Sequence, residues 1–344
     1  MAENLIFGKT ILDFGAKGDG KSDDTEAFVK AFESRETLIC IPYGTYNVTK
    51  QFVINSGVKI QCHKRALINF KGAFAQEGAT WITVSGGEWN CTDEENCAFD
   101  FSGCNSCVVE NARIHSNSDC VIGLSDCKNV IIEKTSLVSC GTASGIAAGG
   151  DVSFVKLSEI LFDGCTGALE FVSGCSAYGI IADKLELKDC DTCVYVKDAK
   201  LENSVVCAIT GQVKDSALKF EISEAFDVSF RNISVFDGYI HIENSRMNMF
   251  KIEHFTRLTE LESDPLKPSF TMKSCTESTL ICDGIPLDAV ILSKKSVPDV
   301  KMTAAKLASA YPTAYNYTVE LPLGTKDNYI IPTGGVKSII IIAK

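Results

Sequence analysis

Apolar and polar residues alternate in short phrases of four that return along the middle of the chain. The phrase reads Ala98-Phe99-Asp100-Phe101, Val121-Ile122-Gly123-Leu124, Ala143-Ser144-Gly145-Ile146 and Ala168-Leu169-Glu170-Phe171. It continues as Cys193-Val194-Tyr195-Val196, Ala217-Leu218-Lys219-Phe220 and Tyr239-Ile240-His241-Ile242, the starts lying 23, 22, 25, 25, 24 and 22 residues apart. The second and fourth residues are apolar, Ser144 excepted, and such a period of two predicts a short strand with one face inward. A companion apolar segment follows in most repeats, as in Val108-Val109-Glu110, Ile131-Ile132-Glu133 and Leu185-Glu186-Leu187. Two or more short strands in about 23 residues leave too little chain for a helical repeat. They fit one coil of a right-handed parallel β-helix, in which stacked coils share a core that no coil can bury alone.

Cysteine spacing agrees with stacked coils. Cys140, Cys165 and Cys190 are 25 residues apart, and Cys104 and Cys127 are 23 apart. The 16 cysteines read mainly as thiols in buried ladders of small apolar side chains. Disulfides and metal sites are the alternatives. The CxxC spacings at Cys104–Cys107 and Cys190–Cys193 recur at coil corners without a matched partner pair, so no metal or other cofactor is expected.

The expected organisation is an N-terminal lead and capping helix over 1–46, a parallel β-helix over 47–262 and a small β-rich C-terminal domain over 263–344. The helix, roughly 24–34, places Ala27, Phe28, Ala31 and Phe32 on one face to close the open first coil. Pro265 and Pro268 mark the second boundary. Beyond it, 329–342 reads as a hairpin ending in four isoleucines, which calls for burial within its own domain or in a subunit interface.

Residues 13–25, D-F-G-A-K-G-D-G-x-S-D-D-T, followed by a helix and I-P-x-G-x-Y at 41–46, resemble the entry segment of the pectate-lyase-like β-helix superfamily. That superfamily includes phage tailspike depolymerases, polygalacturonase-type hydrolases and alginate epimerases. The resemblance implies glycan binding along the main sheet or in a groove beside it, and, for tailspike-like members, a homotrimer. It does not specify an activity. Asp19, Asp23 and Asp24 read as cap and turn residues rather than a catalytic cluster. Asn117-Ser118-Asp119-Cys120-Val121-Ile122 is similar to the D-D-C-I-A-I coil of polygalacturonases but has one acid where they have two, and their G-H-G and R-I-K motifs are missing.

The outward third residue of the phrase runs Asp100, Gly123, Gly145, Glu170, Tyr195, Lys219, His241. Gly123 and Gly145 predict a shallow dip where a sugar ring approaches backbone. Asp100, Asp119, Gly123, Gly145 and Trp89 are the candidate substrate-binding residues, with a packed aromatic as the other reading of Trp89. Glu170, Tyr195, Lys219 and His241 are the candidate catalytic residues, for a lyase that needs a carboxylate neutraliser, a base and an acid. An exposed ladder with Glu170 and Lys219 loosely paired is the alternative. A hydrolase needs two carboxyls about 5–9.5 Å apart; Asp100 and Glu170 are three coils apart, and Asp119, Asp126 or Asp151 would have to supply a nearer partner.

The net charge of −11 argues against nucleic acid or an anionic membrane surface as partner. No apolar stretch is long enough for membrane insertion. The Met1-Ala2-Glu3-Asn4 start shows no secretory signal. The leading expectation is a virion or tailspike-like protein that binds host-surface polysaccharide, with the short N-terminal lead docking to other virion proteins. A stand-alone polysaccharide hydrolase or lyase, cytoplasmic or exported by a non-classical route, and a purely architectural β-helix are the alternatives.

Overall fold

A computed structural model describes residues 8–258 and, beyond them, the backbone of a few short strands. The chain divides between Thr166 and Gly167 into two compact units. Each is a stack of parallel coils, and every pairing that carries the stack is parallel.

In the first unit three apolar ladders converge on the core. One runs Ile39, Ile60, Val84, Val109, Ile132, Leu157. A second runs Tyr46, Ile68, Trp89, Ile114, Leu137, Phe162. The third, built from the recurring phrase, runs Phe52, Ala73, Phe99, Ile122, Ile146. These side chains are all buried. The burial is the collective stabilisation of a repeat fold, since each rung covers the one below. A side ladder of amides accompanies it: Asn69 donates to Asn47 and Asn90 donates to Asn69, both at 3.0 Å. In the second unit Leu169, Val194, Leu218 and Ile240 form one inward ladder, and Ala182, Val206, Phe230 and Ile252 form another.

The coils turn on single residues in the left-handed region. Asn111, Lys134 and Glu159 share one register at φ of 55, 50 and 55°. In the second unit Lys184, Ala208, Asn232 and His254 do the same at 56, 52, 53 and 55°. One αL residue bends a strand sharply while both flanking segments keep their ladders, which lets a coil close without a long loop.

The entry segment explains its own motif. Asp24, 2% exposed, accepts hydrogen bonds from the backbone N–H of Lys17 at 2.7 Å and of Gly18 at 3.3 Å. Asp23 accepts from the backbone and hydroxyl of Thr25. Asp19 accepts from the N–H groups of Lys21 and Ser22, and its pKa is lowered to about 2 by those bonds. Gly18, at φ +60°, lies against the Tyr46 ring, and a Cβ on Gly44 would stand 2.9 Å from the Gly18 carbonyl oxygen. Both positions need glycine to let two turns touch. The helix Thr25–Glu33 follows, with Phe28 and Phe32 buried against Phe52.

Several expectations change on contact with the register. Gly123 pairs with Ala147, not Gly145; the third phrase therefore begins at Gly145, and Ser144 ceases to be an exception. Gly145 is a buried strand residue and forms no outward dip. Cys140 is exposed, because Ser139 turns inward at that corner while Cys165 and Cys190 are buried. Cys97 and Cys120 form a disulfide across adjacent coils, whereas Cys104, Cys107, Cys127 and Cys193 are buried thiols. Past residue 263 the strands Phe270–Lys273 and Thr279–Asp283 still pair in parallel with the preceding coils. Tyr329–Thr333 pairs with Thr279–Asp283, and Ile340–Ile341 with Thr318–Val319, both in parallel, so these strands do not form the expected hairpin with one another. The side chains of the isoleucine run, and the trimerisation role expected of 263–344, lie outside the described residues.

Candidate functional site

In the first unit the outward row reads Phe74, Asp100, Gly123, Ala147. Beside it opens a cleft of about 360 Å³ whose lining includes Phe74, Glu95, Asn96, Asp100, Ser102 and Asp119. Asp100 sits on the strand Phe99–Asp100. Its Oδ1 accepts from the Ser102 backbone N–H at 2.9 Å and from the Ser102 hydroxyl at 2.5 Å, so the carboxylate is held at a fixed angle. Asp119 lies in the turn before the strand Cys120–Ser125, and its carbonyl accepts from the Ser144 N–H at 3.0 Å.

A short loop that no repeat or motif marks in the sequence also lines the cleft. Asp93 Oδ1 accepts from the N–H groups of Glu95 at 2.8 Å and Asn96 at 3.1 Å and from the Asn96 amide at 3.2 Å. Those bonds, the Glu95 N–H first, keep the Asp93 carboxyl below the usual range. The loop is then fastened by the Cys97–Cys120 disulfide, with Cα atoms 4.7 Å apart. Gly123 serves this junction. A Cβ there would come within 3.1 Å of Cys97 Sγ and 3.5 Å of Asp100 Oδ1. Gly123 thus makes room for the disulfide and leaves the Asp100 face open.

Among the described residues three carboxylates line this cleft, and no lysine, arginine or histidine does. Carboxylates accept hydrogen bonds from sugar hydroxyls and repel anions. A half-exposed Phe74 (40%) offers an apolar face beside them. Trp89 does not contribute: it is fully buried in the second ladder, its Nε1 donating to the Gly86 carbonyl at 3.0 Å. It is a packed core aromatic and presents no face to a ligand.

In the second unit the outward row Glu170, Tyr195, Lys219, His241 is in register, as the phrase predicts. The sequence pattern did not reveal the row of acids beside it. Glu221 and Glu243 pair in register two residues further along. Tyr195 donates to Glu221 Oε2 at 2.5 Å, and Lys219 Nζ lies 3.2 Å from Glu221 Oε1 and 4.8 Å over the Tyr195 ring. His241 Nε2 is 3.3 Å from Glu243 Oε2. Tyr239 donates to Asp215 at 2.7 Å. Burial first, then the hydrogen bond and charge of Glu221, push the Tyr195 phenol well above its ordinary range. Burial of Glu221 acts to raise its pKa, but the hydrogen bonds from Tyr195 and Lys219 outweigh it and the net shift is downward. Tyr195 is therefore a phenol that holds its proton, suited to donate rather than abstract. Lys219 already faces a carboxylate.

A model of the rhamnogalacturonase A/epimerase, pectate lyase-like family matches residues 9–210. The chain belongs to this pectate-lyase-like family. Among solved structures, it is similar to the family 28 exopolygalacturonase of Yersinia enterocolitica, at TM-score 0.58 and 12% identity, covering 98% of this chain and 80% of that one. It is likewise similar to the hyperthermoactive exopolygalacturonase of Thermotoga maritima, at TM-score 0.54 and 12% identity, covering 97% and 94%. At that identity the likeness is one of fold. A preneck appendage protein of Bacillus phage PZA is 29% identical over 146 residues, or 41% of this chain. The chain spans only 16% of that relative's length. Among the described residues no helix is long and apolar enough to cross a membrane.

Proposed function

We propose that this pectate-lyase-like chain is the β-helical part of a phage appendage and binds host-surface polysaccharide in the acidic cleft of its first unit. The similarity to the phage preneck appendage protein carries the virion reading. The cleft supports the ligand class: a disulfide-fastened loop, a fixed Asp100, Asp119 and Glu95 as acceptors, and Phe74 as an apolar face. Its lining favours uncharged or amino-bearing sugars over uronates. The homotrimer belongs to the same reading, as does docking of the N-terminal lead to other virion proteins.

The test is retention of the purified chain on immobilised surface polysaccharide from candidate Bacillus hosts. Asp100→Asn with Asp119→Asn is expected to reduce retention at least several-fold without changing circular dichroism. Unchanged retention removes the cleft from the reading. Failure of the wild-type chain on every host preparation removes polysaccharide binding altogether.

Hydrolysis is a second reading that the cleft itself favours. The cleft gathers three carboxylates, Glu95, Asp100 and Asp119, and glycoside hydrolysis uses a pair of such groups about 5–9.5 Å apart. New reducing ends, lost in Asp100→Asn, would identify it. The row Glu170, Tyr195, Lys219, His241 remains the proposed site for elimination. There Tyr195 would act as the acid, and release of a conjugated product absorbing in the near ultraviolet is the signal.

A further inference from the structure

One covalent link in the first unit is not needed to stack its coils. Where Cys97 meets Cys120, the backbone already joins the two coils: the Ala98 N–H donates to the Cys120 carbonyl at 3.2 Å and the Phe101 N–H to the Gly123 carbonyl at 3.0 Å. Cys104 and Cys127, on the same two coils and also 23 residues apart, remain thiols. What the disulfide adds is a fastening for the loop 93–97. Lys71 holds the start of that loop, its Nζ donating to the Thr92 carbonyl at 2.8 Å. The Asp93 carboxylate binds the N–H groups of Glu95 and Asn96, which shapes the turn without anchoring it to another coil. The disulfide holds the end. Gly123 gives up a side chain to admit it, since a Cβ would stand 3.1 Å from Cys97 Sγ and 3.5 Å from Cys120 Sγ. A glycine inside a strand weakens it, and the next coil carries Ala147 in the same register.

The two sulfurs differ in reach. Cys97 is half-buried and lines the cleft, whereas Cys120 is 3% exposed. A dissolved thiol or disulfide therefore meets Cys97 first, through the cleft. Cys104 and Cys127 are 1% and 0% exposed, and burial pushes their thiols up to about 12 and about 11, so both are shielded and poor as thiolates. Two of the three cleft carboxylates are tied to the bond. Glu95 lies two residues before Cys97, and Asp119 adjoins Cys120.

We propose that Cys97 and Cys120 form a redox latch on the acidic cleft, which is slack and binds weakly while they are thiols and is assembled for polysaccharide once they are joined. The oxidant is a small-molecule disulfide. The Cys97 thiolate attacks one of its sulfurs and expels the first small thiol. The Cys120 thiolate then attacks Cys97 Sγ and expels the second. One S–S bond forms in the protein, one breaks in the oxidant, and the two cysteine protons end on the released thiols. Disulfides persist outside cells and are kept reduced in the cytoplasm. A phage appendage is made inside and acts outside, so the latch would close on release. The inference rests on the polysaccharide-binding reading of the cleft and adds its regulation.

The test compares one preparation in two states. The purified chain is treated with oxidised glutathione or with dithiothreitol and desalted, and the state of Cys97 and Cys120 is read by alkylation and peptide mass spectrometry. Affinity is then measured for surface polysaccharide purified from a Bacillus host. Reduction is expected to weaken binding about tenfold, the loss of one hydrogen bond to a carboxylate, with circular dichroism unchanged. Oxidised glutathione should restore it. Cys97→Ser with Cys120→Ser should bind like the reduced chain and respond to neither reagent, which assigns the effect to this pair. If both cysteines stay open to alkylation after oxidised glutathione, the latch is overturned whatever binds. If oxidised and reduced chains bind alike, and Asp100→Asn with Asp119→Asn weakens both, the latch is wrong and the cleft reading stands. If neither state binds, both fall.

Discussion

Replacing Tyr195 with phenylalanine separates a structural ladder from a reactive site in the second unit. The substitution keeps the ring under Lys219 and removes only the phenol oxygen, 2.5 Å from Glu221. A hydrogen bond to a charged group contributes about 1.5–3 kcal/mol. Glu221 keeps Lys219 at 3.2 Å, and its side chain is 28% exposed, so water replaces part of the loss. The expected cost is about 1–2 kcal/mol, or a Tm lower by roughly 2–8 °C for a unit of this size. The pH dependence carries more information. Glu221 is held below its ordinary value of 4.5, so its contribution is present above that value and lost as pH falls through the folded pKa. Tyr195 is held above its ordinary value of 10.0, so its contribution is present below that value and lost as pH rises through the folded pKa. The stability gap between wild type and Tyr195→Phe should therefore be level from about pH 5 to 9 and shrink on both sides. Urea titrations across that range measure it. A variant as stable as wild type at pH 7, or a gap that keeps growing above pH 10, would refute the assigned hydrogen bond.

Four further outcomes follow from the same structure. Leu157→Ala, a fully buried end rung of the first ladder, should cost about 2–5 kcal/mol in chemical denaturation of the first unit; a loss under 1 kcal/mol would mean that the coil relaxes around the hole. Gly44→Ala places a Cβ 2.9 Å from the Gly18 carbonyl oxygen, and faster proteolysis of the entry segment is the expected readout. Reduction of Cys97–Cys120, or Cys97→Ser, frees a link spanning 23 residues and should destabilise the first unit by about 3 kcal/mol and release the loop carrying Glu95, visible as faster amide exchange at 93–97. His241→Asn should leave stability near neutral pH within about 1 kcal/mol, because its ion pair with Glu243 depends on protonation.

Legibility in the sequence followed the physics of each feature. Alternation with a fixed period reports which side chains face inward, because a strand puts every second residue on one face. That was enough to place Asp100 beside Gly123 and to align Glu170, Tyr195, Lys219 and His241. Alternation misplaces residues where the repeat changes length. Reading Ser144 as an exception shifted one phrase by two residues, and Gly145 took the place that belongs to Ala147. A slip of two preserves inward and outward faces, so alternation could not detect it. Trp89 was ambiguous for a related reason: its place in the second ladder emerges only when Ile68 and Ile114 are seen to pair with it.

Composition and spacing by themselves determined the parallel coils, the aromatic face of the entry helix, the turn chemistry of Asp19, Asp23 and Asp24, and the family. These are local or periodic properties, written within one or two repeats. Tertiary structure decided the rest. Cys97–Cys120 and Cys104–Cys127 share a separation of 23 residues, yet one pair is bonded and the other is not. The difference lies in how two coils approach at a corner. The cleft needs Glu95, Asp100 and Asp119 on neighbouring coils, and the Tyr195–Glu221 pair joins residues 26 apart. Each depends on distances between coils, which only the stacking of one on the next sets.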